Sequence, residues 1–162
     1  MATESINPIG LIVTIASLSL LPLVAVTATS FLKFSAVLLI LRNAIGVQQV
    51  PSNMVLYGIA MVMSLLVMGP VLTDAGGRFA PNGQMPETGT EVLESINAAV
   101  PPFKQFMLAN TKPDYLASFH ETAGRFQQKY NAPPVDKTDL FVVLPAFVAS
   151  ELAEAFRIGL YL

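Results

Sequence analysis

The chain has 162 residues, is 53% hydrophobic and only 12% charged, and carries a formal net charge of −2. Soluble domains average about 25% charged residues and disorder needs low hydrophobicity with high charge, so intrinsic disorder and a basic nucleic-acid binder are both excluded. Zero cysteines exclude a disulfide framework, a thiol nucleophile and any Cys-ligated metal, and the single histidine, His120, leaves no partner for a His-rich metal site.

Glu4, Lys33 and Arg42 are the only charged side chains before Asp74. A small soluble domain has too little interior to hide such a front section, which points to a membrane. Ile9–Leu32 is uncharged throughout, long enough as a helix to cross a bilayer core of about 20 residues. Pro22 would kink it. Its flank carries Glu4 in place of the basic region of a signal peptide, so the run reads as an uncleaved segment. Lys33 follows, and a Lys at a membrane-helix centre costs about 2.5–3.5 kcal/mol. It therefore either pairs or faces a wet or protein interior, or the first span ends near residue 32 and Lys33 anchors at the headgroups. Pro51 breaks the chain after Gly46, and Ser52 or Asn53 is expected to cap the next helix through its side chain. Met54–Val71 is a second uncharged run in which Gly58, Ala60 and Ser64 favour close helix approach. Gly69-Pro70 is expected to stop it. The two runs read as a helical hairpin, since lipid leaves backbone groups no water to bond.

Composition changes at Asp74. The stretch Asp74–Pro86 reads as a loop from its turn residues. Thr88 and Glu91 form a capping-box pattern ahead of a helix from about Gly89 to Ala99, which Pro101-Pro102 is expected to interrupt. Phe103, Phe106 and Met107 continue its apolar face. Asp114–Tyr130 reads as a further helix with Leu116, Phe119, Ala123, Phe126 and Tyr130 at three- and four-residue steps. His120, with no second His or Cys nearby, reads as a surface residue rather than a proton relay or ligand. From Leu140 the chain is apolar again. There Glu154 and Arg157 are spaced to pair on one helix face, while Glu151 needs a base from another helix, for which Lys33 and Arg42 are the candidates. The chain is therefore all-α: a membrane-associated helical hairpin over 1–74, a small soluble helical insert over 75–139, and the start of a further apolar helix over 140–162. At Leu162 the pattern stops without a C-cap signal.

No pair of carboxylates on one face, and no set of His partners, supports hydrolysis or metal catalysis, so the chain does not read as an enzyme. Asp136 and Asp139 beside Lys137 look like a solvated boundary. A small membrane transporter or channel subunit remains open, because charged, kinked spans also line solute paths.

Several local patterns narrow this. Pro145-Ala146-Phe147, Ser150-Glu151-Leu152 and Ala155-Phe156-Arg157-Ile158-Gly159 closely resemble the first signature of the FliP/SctR family of type III secretion export-apparatus proteins. Ser19-Leu20-Leu21-Pro22, Thr29-Ser30-Phe31 and Leu41-Arg42-Asn43-Ala44-Ile45-Gly46, then Gln48, Pro51 and Asn53, look like that family's opening block. Met68-Gly69-Pro70-Val71 looks like its closing piece, and Phe106-Met107 fits its central insert. The start of the first span by Ile9 resembles an injectisome SctR more than a flagellar member. The resemblance implies a structural, pore-forming subunit without a cofactor: a homopentamer in the bacterial inner membrane, multi-pass, with residues 75–139 toward the periplasm. It further implies SctS-, SctT-, SctU- and SctV-like partners, contact with lipid, and passage of unfolded secreted substrates. It also implies a second helical hairpin, with a methionine-rich loop, beyond residue 162. The assembly candidates are Lys33, Arg42, Asn43, Gly46, Pro51, Asn53, Pro70, Glu151, Phe156 and Arg157, with Lys33, Arg42 and Glu151 expected in charge pairs within or between subunits.

Overall fold

The chain order is α1 (Phe31–Ala44), α2 (Asn53–Phe79), a 3-10 turn at Pro81–Gly83, α3 (Gly89–Asn110), α4 (Pro113–Tyr130) and α5 (Leu140–Tyr161). This is a computed structural model that describes residues 12, 15, 16, 19, 22–24, 26–46 and 50–161. No strand occurs among the described residues, so the fold is all-α. Ten of the 24 residues of the expected span Ile9–Leu32 lie outside the described residues. Residues 22–24, 26 and 27 are helical, and the chain bends at 28–30 immediately before α1.

α1 and α2 pack as an antiparallel hairpin, Arg42 meeting Asn53 at the turn and Ser30 meeting Ser64 at the far end. Gly46 ends the turn after α1 with φ +74°, a left-handed conformation that costs glycine nothing. Ser52 holds the N-cap position of α2 but makes no side-chain cap bond. The side chain expected to share that task, Asn53, is taken by Arg42 instead.

α2 is 27 residues long, and among the described residues it is the one helix long and apolar enough to cross a membrane. Leu56, Ala60, Ser64 and Met68 form a buried row at four-residue steps, and Ala75 extends it. Away from that row Met54, Val62 and Leu66 are 83%, 69% and 82% exposed. Gly69-Pro70 does not stop this helix, contrary to the sequence expectation, and the segment from Asp74 to Phe79 is helical rather than loop. Proline removes one backbone bond, at a cost of about 3 kcal/mol, yet α2 continues past it, packs along α3 and keeps Ala75 buried. Two local bonds brace the continuation: Thr73 Oγ1 donates to the Gly69 carbonyl at 2.9 Å, and Arg78 grips Asp74 one turn back at 2.9 and 3.2 Å.

α3 opens on the expected capping box. Thr88 Oγ1 accepts the Glu91 N–H at 3.3 Å, and Glu91 Oε2 accepts the N–H groups of Glu87 and Thr88. Those two N–H donors hold the Glu91 carboxyl below the usual carboxylate range. Pro101-Pro102 does not interrupt the helix, which runs on to Asn110. Here too packing overrides the local penalty. Pro102 and Met107 are buried, and Phe106 meets Phe147 edge-on with ring centroids 5.8 Å apart. α4 begins with Pro113 in its first turn and ends on Asn131 at φ +54°, close to the expected bounds.

α5 is the centre of the fold, touching α1, α3 and α4. Pro145 lies inside it without ending it. Ala28, Met107, Val143 and Phe147 form the buried core, with Phe106, Leu108, Leu116, Leu144 and Val148 packed around them.

Candidate assembly site

The row Val143, Phe147, Glu151 and Ala155 repeats every four residues on α5, and all four are buried. Helical periodicity thus aims a carboxylate into a core position. Its counter-charge comes from the first turn of α1, where Lys33 Nζ lies 2.9 Å from Glu151 Oε1. The Lys33 side chain is 30% exposed and that of Glu151 3%. The base therefore reaches in from the rim, while the carboxylate has no route to water. Such a pair is weak as a source of net stability, but removing one partner strands the other and costs about 3–5 kcal/mol.

The next turns of α5 are tied to the junction between α3 and α4. The Lys112 N–H donates to Ser150 Oγ at 3.1 Å, and Lys112 Nζ pairs with Glu154. Arg157 Nη2 meets Glu154 Oε1 at 2.9 Å, the three-residue pairing that the spacing implies. Residues 150, 151, 154 and 157 thereby join three elements through polar bonds on an otherwise apolar helix. This arrangement fixes helices relative to one another. Among the described residues no group of His, Asp and Glu is placed to hold a metal.

The remaining candidates are scattered. Arg42 does not reach Glu151. Its guanidinium donates to Asn53 Oδ1 and, at 3.4 Å, to the Pro51 carbonyl, so it closes the α1–α2 turn through neutral oxygens instead of a charge pair. The turn thus gathers Arg42, Pro51 and Asn53. Asn43, whose carbonyl accepts the Gly46 N–H at 3.1 Å, and Gly46 are exposed beside it. Pro70 is exposed within α2, and Phe156 is 60% exposed on α5.

Sequence reasoning missed three features. Ser30 and Ser64 meet through their hydroxyls at 3.2 Å in the buried α1–α2 seam. Their motifs were visible, but nothing linked positions 34 residues apart. Lys112 was an ordinary insert charge until the fold laid it on α5. An apolar groove of about 410 Å³ opens between α1, Tyr57 of α2 and Leu152 of α5, lined also by Phe31, Leu32, Ala36 and Leu39. Its signal would have been the small residues of α1. His120 is half-buried, with Nε2 3.2 Å from the Val135 carbonyl, so it ties down the loop leading into α5.

The family model described as the FliP family matches residues 14–162. The harpin secretion protein HrcR of Erwinia amylovora is 42% identical over 159 residues, covering 98% of this chain and 73% of its own length. The Yop proteins translocation protein R of Yersinia pestis is 38% identical over 154 residues, 94% of this chain and 70% of its own. The virulence protein YscR of Salmonella typhimurium is 39% identical over 154 residues, 95% of this chain and 71% of its own.

Proposed function

The chain belongs to the FliP family, and on that premise we propose that it is a structural, pore-forming subunit of a type III secretion export gate through which unfolded substrates cross the bacterial inner membrane. Members of this family are membrane components of the export apparatus, and relatives named for harpin secretion and Yop translocation match nearly all of this chain. The observation that carries the reading is the bare outward face of α2. Met54, Val62 and Leu66 stand open on a helix long enough to span a bilayer. Exposed apolar surface of that extent needs lipid or another subunit against it. The Lys33–Glu151 pair supports the same reading, because ionisable groups in apolar helices pair with one another or face protein.

In this account the chain assembles as a homopentamer with SctS- and SctT-like subunits and adjoins SctU- and SctV-like proteins. Residues 1–74 and 140–162 belong to the apolar part of the assembly, and residues 75–139 face the periplasm. Lys33 and Glu151 hold α1 on α5, Glu154 and Arg157 secure the next turn, and the Arg42–Pro51–Asn53 turn with Asn43, Gly46, Pro70 and Phe156 contributes to subunit contacts. Affinity purification of the full-length protein from membranes in mild detergent tests this. The expected product is a large oligomer containing two smaller hydrophobic subunits. A monodisperse monomer without them would contradict the proposal.

A further inference from the structure

We infer that Gly159 sets the register of α5 on α1 and thereby places Glu151 opposite Lys33. A Cβ at position 159 would stand 2.2 Å from Cγ2 of Ile40 and 3.2 Å from its Cβ. The helical glycines Gly58, Gly69, Gly76, Gly77 and Gly124 have nothing within 4 Å of the same position. Ile40 cannot swing aside, because a β-branched side chain in a helix has one strongly preferred χ1 rotamer. Its methyl is therefore a fixed knob, and the missing side chain of Gly159 is the notch that receives it.

The two contacts define a geometry together. From Lys33 to Ile40 is seven residues of α1, about 10 Å, and from Glu151 to Gly159 is eight residues of α5, about 12 Å. The helices run parallel, held at two points two turns apart, one ionic and one steric. Restoring ordinary van der Waals contact of about 3.5–4.0 Å at residue 159 requires α5 to shift by about 1.5 Å. The same displacement at the ion pair would carry 2.9 Å beyond the roughly 3.2 Å limit of a hydrogen bond. Gly159 is thus a positioning residue for the pair. Its place in the Ala155–Gly159 motif follows from contact between helices.

This inference rests on the export-subunit reading, and the experiment separates the two. Full-length variants replace the chain in a secreting strain, with chain level in membranes and secretion of the strain's tagged type III substrates as readouts. Gly159→Ala should reduce secretion about tenfold, as expected for overpacking a tight contact. Ile40→Leu in the same chain, which moves the branch off Cβ and removes Cγ2, should restore most of it. Should Gly159→Ala fail to accumulate, recovery of both level and secretion by the double variant supports the inference, and no recovery overturns it. Full activity of Gly159→Ala alongside loss in Glu151→Ala overturns the register role and leaves the export reading standing. Full activity of both overturns the register role and the ion pair, whereas full secretion by the strain lacking this chain altogether overturns the export reading itself.

Discussion

α2 and α5 are both apolar helices, and hydropathy alone hardly separates them, yet they live in different surroundings. α5 buries seven residues, including a carboxylate, against three neighbouring helices. α2 buries a single row and leaves its other sides open. Hydropathy reports that a helix avoids water. Which neighbour replaces the water is decided by where polar groups sit: α5 carries Ser150, Glu151 and Glu154 toward protein partners, whereas the open sides of α2 carry almost none above Thr73.

Matched truncations can break this contrast. Phe147→Ala on α5 should cost about 3–5 kcal/mol, while Leu66→Ala on the outer side of α2 should stay within about 0.5 kcal/mol, as surface changes do. Denaturant titration of the purified protein in detergent checks both, and equal losses would show that α2 is packed like a core helix. The ion pair comes next. Glu151→Lys should abolish assembly by setting two cations together in a buried site, and Lys33→Glu in the same chain should recover a substantial part of it. Recovery of oligomer on gel filtration is the readout, and an unaffected Glu151→Lys single variant would remove the pair from the account.

The insert offers the smallest effect. Thr88→Ala should cost about 1 kcal/mol of helix stability by removing the cap. Because the folded state holds the Glu91 carboxyl below its ordinary value, its contribution is complete above the unfolded pKa. It is lost as pH falls through the lower folded one. The acid side of the thermal stability profile should therefore flatten in Glu91→Gln, and a slope equal to that of the unaltered chain would contradict the role of the cap.

Local chemistry was legible wherever one segment sufficed. The Thr88–Glu91 box, the bounds of α4 and the Glu154–Arg157 pair all follow from spacing over three or four residues. Lys33 and Glu151 stood out because each is a charge in an apolar run, which restricts its possible partners to a few. The prolines misled for the opposite reason. Pro70, Pro101 and Pro102 carry real local penalties, but α2 and α3 pack along each other and α3 also meets α5, and these contacts between elements lie outside what local sequence shows. Ile40 against Gly159 and Ser30 against Ser64 depend on helices distant in sequence, and no pattern within either segment announces them.

The central claim is that the outward side of α2 is covered by lipid or by another subunit. The chain has no cysteine, so Leu66→Cys introduces a single label site. A membrane-impermeant maleimide applied to sealed and then opened native membranes should leave residue 66 unlabelled until the protein is denatured in detergent. Labelling in native membranes as fast as in the denatured chain would place that face in water and contradict the account.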